Sequence, residues 1–74
     1  MMVTLRELRE DAQKSAKEVA NALCITKTAL YNYERGIRRI PLEAVLQLAS
    51  LYNCTEREVI QAQMYSELVF YASK

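Results

Sequence analysis

The 74-residue chain contains no histidine and only one glycine and one proline. Because histidine is a common metal ligand and general base, its absence argues against a metal site and against most hydrolytic chemistry. No glycine-rich phosphate loop and no evident pair of carboxylates take its place. The sequence therefore predicts a protein that is not an enzyme and that binds no metal, no cofactor and no small-molecule ligand.

The two cysteines, Cys24 and Cys54, show no CxxC spacing, and both lie among apolar residues at predicted helix junctions. We expect them to be reduced packing residues of a cytoplasmic protein. The first ten residues, MMVTLRELRE, are charged and amphipathic, which is not typical of a signal peptide. No apolar run approaches the roughly 18 residues that a membrane span needs, so no membrane partner is expected.

The composition favours a single helical domain. Hydrophobic residues make up 51% of the chain, which is enough for a packed interior. Helix-forming residues dominate, and the scarcity of glycine and proline argues against a chain of turns and hairpins. The predicted fold class is all-α, in one small domain.

The charge is unevenly distributed although the net charge is only +1. Residues 14–39 carry six cations against two carboxylates, a net charge of +4, and the rest of the chain carries −3. Such asymmetry can focus a positive potential on one side of the protein, although an ordinary mixed surface gives the same counts.

Two short helices joined by a tight turn are predicted in the centre of the chain. Ser15 and Glu18 form a capping box before the first of them, and Thr26 offers an N-cap to the second. The connection between the helices is so short that they must cross steeply, which is helix-turn-helix geometry. Gly36 is expected to end the second helix in a left-handed conformation.

The second of these helices has a polar and an apolar face. At about 100° per residue, its polar side chains fall on one arc of roughly 140°. They are Lys27, Thr28, Tyr31, Asn32 and Arg35. Ala29, Leu30 and Tyr33 fall on the opposite arc, which can pack on a core. The polar arc indicates a recognition surface. Taken alone, each charged residue on it is equally consistent with an ordinary solvent-exposed side chain.

Three further helices are predicted around this pair. The first covers residues 4–13, the fourth has Pro41 in its first turn and stops at Asn53, and the fifth starts at a capping box of Thr55 and Glu58. Each helix has an expected apolar stripe that faces the core. In the first helix the stripe is Leu5, Leu8 and Ala12, and in the fifth it is Val59, Ile60 and Met64. In the fourth helix it is Leu42, Val45, Leu46 and Ala49, and Leu48 and Tyr52 make it broader.

Residues 64–74 are predicted to form an apolar extension beyond a domain of residues 1–63. Apolar side chains cover several sides of the extension, which is more than one small core can bury. The extension either folds back on its own domain or contacts a second copy of the chain. Residues 68–71 either continue the helix or form a short strand, since Val-Phe-Tyr favours a strand. The candidate dimer contacts are Met64, Tyr65, Leu68, Val69, Phe70 and Tyr71.

These features together resemble the phage Cro and repressor type of helix-turn-helix domain, the XRE family. The matching residues are Arg9, Val19, Ala20, Ile25, Thr26, Leu30, Glu34, Arg35, Gly36, the following proline, Leu48 and Ala49. The resemblance covers about residues 5–60. It implies five helices, with the helix-turn-helix at the second and third and with the third helix in the major groove of double-stranded DNA.

Site residues follow from the resemblance position by position. It implies that the bases are contacted by Lys27, Thr28, Tyr31 and Asn32. It implies that the phosphates are contacted by Ser15, Lys17, Thr26, Arg35, Arg38 and Arg39. Arg9 and Glu34 match a structural ion pair that ties the first helix to the third. Three positions depart from the family pattern. Ala16 stands where glutamine is frequent, Cys24 stands where glycine is usual, and Pro41 lies one residue later than the commonest spacing.

The functional hypothesis is a sequence-specific transcriptional regulator, a repressor, that binds a palindromic operator as a homodimer. The alternative is a protein-interaction module of the same fold, such as an antitoxin or an anti-repressor. The apolar extension and the low net charge favour that alternative.

Overall fold

The computed structural model describes residues 2–72, which form five α-helices and no strand. Met1, in the predicted domain, and residues 73 and 74, in the predicted extension, lie outside the described residues. The helices are α1 (Leu5–Asp11), α2 (Ala16–Leu23), α3 (Lys27–Glu34), α4 (Leu42–Leu51) and α5 (Glu56–Ala72). The all-α, five-helix prediction is confirmed.

Side-chain caps determine where most of these helices begin. Ser15 and Glu18 exchange hydrogen bonds of 3.1 Å in both directions before α2, and Thr55 and Glu58 form the same box before α5. Each box satisfies backbone N–H groups that have no partner within the helix. The predicted caps are confirmed, and α1 has a further box, formed by Thr4 with Glu7, that the sequence analysis did not identify.

Two of the predicted helix boundaries were wrong. The first helix ends at Asp11 rather than at residue 13, because Gln13 has a left-handed backbone with a φ of 59°. Pro41 does not lie within the first turn of α4 but precedes it, with an extended ψ of 158°. The predicted left-handed stop at Asn53 is confirmed by its φ of 54°.

The core lies between all five helices. Residues from α2 and α3 meet residues from α1, α4 and α5, and the fully enclosed side chains include Leu5, Val19, Leu30, Leu48 and Val59. The buried hydrophobic residues are Leu5, Ala16, Val19, Ala20, Leu23, Leu30, Ile40, Ala44, Val45, Leu48, Ala49, Tyr52, Val59 and Ala62.

Part of each predicted apolar stripe on α4 and α5 lies on the outside instead. Leu42 and Leu46 are 72% and 53% exposed, and Ile60 and Met64 are 44% and 58% exposed. The prediction that these four residues lie in the core was wrong. Both helices carry apolar residues around much of their circumference, so periodicity alone does not identify the inner face.

The buried face of α5 consists of small and polar residues. Val59, Ala62, Gln63 and Ser66 recur at intervals of three and four along it. The Ser66 hydroxyl accepts a hydrogen bond from the backbone N–H of Leu5 at 3.0 Å and donates to the carbonyl of Ala62 at 2.9 Å. Small side chains here let neighbouring backbone approach α5 closely.

α5 continues without a break through residues 68–71, so the strand alternative is wrong. Met64 and Leu68 are 58% and 60% exposed, and the rest of the described chain therefore does not fold over them. Tyr65 and Phe70 are half-buried. Within residues 2–72, no helix combines the length and the apolar character that crossing a membrane requires.

Candidate nucleic-acid interface

The turn between α2 and α3 is built from local backbone hydrogen bonds. Cys24, the residue after α2, has a left-handed backbone with φ 58° and ψ 41°. Its N–H donates to the carbonyl of Asn21 at 3.2 Å, and the N–H of Ile25 donates to the carbonyl of Ala20 at 3.0 Å. These bonds satisfy the last carbonyls of α2 and turn the chain sharply toward α3.

Cys24 is exposed, so the prediction that it is a packing residue was wrong. The left-handed backbone of Cys24 explains why glycine is usual at this position in the family, since a Cβ atom disfavours the left-handed region. Cys54 is half-buried and packs against the core, as predicted.

α3 starts at Thr26, whose hydroxyl accepts a hydrogen bond of 3.1 Å from the N–H of Ala29. Lys27 and Thr28 in the first turn are exposed, Tyr31 in the next turn is 38% exposed, and Asn32 is half-buried. The four residues assigned to base contact therefore share the outer side of α3, while Leu30 is 1% exposed.

An ion pair fixes the far end of α3. The Nε of Arg9 donates to Oε2 of Glu34 at 2.7 Å, and its Nη2 donates to Oε1 at 3.3 Å. The two side chains are only 11% and 5% exposed, and the hydrogen bond to Glu34 raises the pKa of Arg9. Arg9 also donates to the carbonyl of Lys14. The pair thus joins α1, α3 and the segment before α2.

The loop after α3 is held against α5. Gly36 has a φ of 79°, the left-handed conformation that the sequence predicted, and it is buried. A Cβ atom at this position would lie 2.6 Å from the carbonyl oxygen of Ser66, well inside van der Waals contact. The N–H of Ile40 donates to Oε1 of Gln63 at 3.3 Å. Glycine is therefore required both by the backbone conformation and by the contact with α5.

The same loop stays in contact with α3. The N–H groups of Ile37 and Arg38 both donate to the carbonyl of Asn32, at 3.0 and 3.2 Å. Arg38 is exposed and forms no ion pair within residues 2–72. The loop thus presents a cation beside the last turn of α3.

The remaining residues assigned to phosphate contact lie near the starts of α2 and α3 or after α3. Ser15 and Lys17 are exposed at the N-terminus of α2, Thr26 caps α3, and Arg35 follows its last residue. Hydrogen bonds from Ser15 lower the pKa of Glu18 in the first turn of α2. The start of α3 has no acidic residue in its first turn, and its free N–H groups and partial positive charge are suited to a phosphate.

Arg39 differs from these residues because it is engaged within the protein. Its guanidinium forms an ion pair with Glu67 on α5, at 3.2 Å between Nε and Oε1. The sequence analysis assigned no role to Glu67 or to Gln63. A signal was nevertheless present, because Glu67 is the only charged residue between residues 59 and 72.

The side chains of α4 and α5 leave an apolar groove between the two helices on the surface. We call it the α4–α5 groove, and its apolar lining includes Leu42, Ile60, Met64 and Leu68, with Arg39 and Glu67 at the side. No cluster of acidic, cysteine or histidine residues among residues 2–72 has the arrangement of a metal site.

Comparison with known proteins gives a consistent family assignment. The family described as "Helix-turn-helix domain" matches residues 3–61. A protein of Thermococcus kodakarensis, named provisionally as an HTH-type transcriptional regulatory protein, is 39% identical over 49 residues, which are 66% of this chain and 15% of that protein. A protein of Methanothermobacter thermautotrophicus with the same kind of name is 34% identical over 50 residues, which are 68% of this chain and 16% of that protein.

The match thus spans about a sixth of the length of these relatives. No solved structure matches the chain significantly. The family match nevertheless covers α1 to α4 and the first part of α5, including the turn between α2 and α3 and the loop after α3. The chain belongs to the XRE-like helix-turn-helix domain family.

Proposed function

We propose that the chain is a sequence-specific DNA-binding transcriptional regulator that contacts the major groove through α3. The observation that carries the proposal is the exposed polar side of α3 on a helix whose two ends are fixed, by Thr26 at one end and by Glu34 at the other. The names of the two relatives as transcriptional regulatory proteins support it.

Each base contact has a chemical basis. Lys27 donates to O6 and N7 of guanine, and Asn32 pairs with N6 and N7 of adenine. Thr28 offers a hydroxyl and a methyl group, the latter for thymine, and Tyr31 lies beside them. Phosphates are bound by the hydroxyls and cations around α2 and α3, namely Ser15, Lys17, Thr26, Arg35 and Arg38.

The proposed assembly is a homodimer on a palindromic operator, because a two-fold pair of recognition helices matches inverted half-sites about 34 Å apart. The contact is formed by the outer side of the last turns of α5, where Met64 and Leu68 are more than half exposed. Occlusion of a promoter would then repress transcription. No catalytic step is part of the proposal.

Selection of bound sequences from a random DNA pool tests this function. The proposal predicts an enriched inverted repeat whose half-sites are about one helical turn apart. Enrichment of a single half-site would support DNA recognition but contradict the dimer. No enrichment at all would contradict the proposed function.

Two substitutions test which residues supply specificity. Asn32→Ala should relax the preference at one base pair, with a loss of about 1–3 kcal/mol of discrimination. Arg38→Ala should weaken binding to all sequences about equally and flatten the dependence of affinity on salt. If both variants bind the selected DNA as the parent does, the assignment of these residues is wrong.

The α4–α5 groove favours a second candidate, a protein-interaction module of the same fold, such as an antitoxin or an anti-repressor. Exposed apolar side chains that lie together on a small domain often mark a protein contact. Leu42→Ser separates the two functions, because Leu42 lines the groove but is outside the proposed dimer contact. In the interaction module it abolishes partner binding, and in the proposed DNA-binding homodimer it leaves DNA affinity unchanged.

A further inference from the structure

Arg39 lies on the α5 side of the loop that follows α3. Its Nε donates to Oε1 of Glu67 at 3.2 Å, and its Nη2 donates to Oε2 at 3.4 Å. Both carboxylate oxygens therefore face the same edge of the planar guanidinium, which is the two-point arrangement that arginine also uses for phosphate. Glu67 thus occupies one edge of the guanidinium, and this edge is closed to a phosphate while the pair is formed.

Glu67 is held in place more firmly than its partner. Its side chain is 19% exposed, whereas that of Arg39 is 78% exposed. Oε1 of Glu67 also accepts a hydrogen bond of 3.4 Å from the amide of Gln63, which is itself buried and bonded to the N–H of Ile40. The carboxylate is therefore held in position on α5, and the arginine is the more exposed side chain of the pair.

The surroundings of the two neighbouring arginines differ accordingly. Arg39 borders the α4–α5 groove, next to Leu42 and Leu68. Arg38 is exposed, and its backbone N–H is bonded to the carbonyl of Asn32 at the end of α3. Consecutive residues of one loop thus serve two helices: Arg38 is attached to α3, and Arg39 to α5.

We propose that Glu67 withholds Arg39 from DNA, so that the loop supplies one phosphate contact, from Arg38, instead of two. This inference rests on the proposed function of DNA binding. A guanidinium that is already neutralised by a carboxylate adds little when it approaches a phosphate, and the carboxylate repels the phosphate. Glu67 is a positioning residue, because it acts on DNA affinity through Arg39. It lowers the contribution of phosphate contacts, which are independent of sequence, to the free energy of DNA binding. Base contacts then supply a larger share of that free energy.

The test measures the slope of log affinity against log salt concentration for a mixed-sequence duplex of about three helical turns. Divided by the number of bound protomers, this slope counts the phosphate contacts of one protomer, at about 0.9 for each contact, and all slopes below are given per protomer. We expect Arg39→Ala to keep the slope of the parent chain. Glu67→Gln should steepen the slope by about 0.9 and tighten binding several-fold at low salt. The double variant should return to the slope of the parent, because the released arginine is then absent.

Glu43→Gln is the matched control, since it makes the same change in net charge at an exposed residue in the first turn of α4. A merely structural role of Glu67 would lower thermal stability without steepening the slope. A slope that falls by about 0.9 in Arg39→Ala would overturn the proposal, as would one that Glu67→Gln leaves unchanged or changes no more than Glu43→Gln does. If the parent chain binds no duplex, the proposed function fails and this inference fails with it; the other outcomes overturn this inference alone.

Discussion

Cys24, before α3, and Gly36, after it, both have a left-handed backbone, with φ values of 58° and 79°. Cys24 is exposed, and the bonds that hold its turn join residues no more than five positions apart. Gly36 is buried, and its nearest neighbours are backbone atoms of α5, thirty residues further along the chain. The same backbone conformation is therefore a local feature at one end of α3 and a tertiary contact at the other.

The same difference holds for the chain segments before and after α3. The segment before α3 depends on local caps: Ser15 at the start of α2 and Thr26 at the start of α3 each satisfy an N–H group three residues further along the chain. The segment after Leu30 depends on Arg9, Gln63 and Glu67, all distant in sequence. We infer that the start of α3 forms with its own sequence, whereas its end needs α1 and α5 in place.

The largest effect is expected at the ion pair that fixes the end of α3. Glu34→Gln leaves the guanidinium of Arg9 without its counter-charge in a site where both side chains are almost enclosed. The free energy of unfolding, measured by urea denaturation, should fall by about 3–5 kcal/mol. The control is Glu10→Gln, which breaks an exposed pair with Arg6 and should cost no more than about 0.5 kcal/mol. Equal effects of the two substitutions would contradict a structural role for Glu34.

Gly36→Ala tests the contact with α5. The added Cβ meets the left-handed backbone penalty and the carbonyl of Ser66 at 2.6 Å. We expect a loss of about 2–5 kcal/mol of stability, from left-handed strain together with overpacking. Cys24→Ala is the matched substitution in the turn, where the residue already has a Cβ, and it should be nearly neutral. A Gly36→Ala chain as stable as the parent would show that α5 does not constrain this loop.

Cys24→Gly should change stability in the opposite direction. Glycine removes the left-handed strain, about 1–2 kcal/mol, but has more conformational freedom to lose on folding, about 0.5–1 kcal/mol. The net effect expected in thermal denaturation is a stabilisation of between zero and about 1.5 kcal/mol. Destabilisation would mean that the cysteine side chain has a contact of its own at the surface.

The smallest effect is expected from the pH dependence of the Arg39–Glu67 pair. The hydrogen bond from Arg39 lowers the pKa of Glu67 below its ordinary value of 4.5. Because the folded pKa is the lower one, the pair contributes its stability above the ordinary pKa and loses it as the pH falls through the folded value. Melting temperatures of the parent and of Glu67→Gln should therefore differ near neutral pH and converge in acid. A constant difference at all pH values would contradict the ion pair.

The local features of the fold follow from the sequence. The caps at Ser15, Thr26 and Thr55 and the left-handed residue Asn53 each depend on a few neighbouring residues, so their signals are complete in a short window. The outward arc of α3 follows in the same way, because its inner face is marked by Leu30 and Tyr33. The exact end of α1 and the exact start of α4 did not follow. At the end of α1 the reason is that Gln13 carries no strong signal for a left-handed backbone.

The inner faces of α4 and α5 could not be predicted for a different reason. α5 presents Ser66 and Ala62 to α1 and to Gly36, because only small side chains allow that approach. A hydrophobicity pattern favours Ile60 and Met64 for the core instead. Likewise, nothing within a short window joins Arg39 to Glu67, 28 residues away. The part of the site formed by the loop after α3 and α5 could therefore not be predicted from the sequence.

The central claim is that α3 and its flanks form the surface that binds DNA. Titration of the isotopically labelled chain with its selected duplex, followed by amide chemical-shift changes, tests this claim most directly. We expect the largest changes at Lys27, Thr28, Tyr31 and Asn32, with further changes at Ser15, Lys17, Arg35 and Arg38. Changes centred on the α4–α5 groove, with those residues of α3 unaffected, would contradict it.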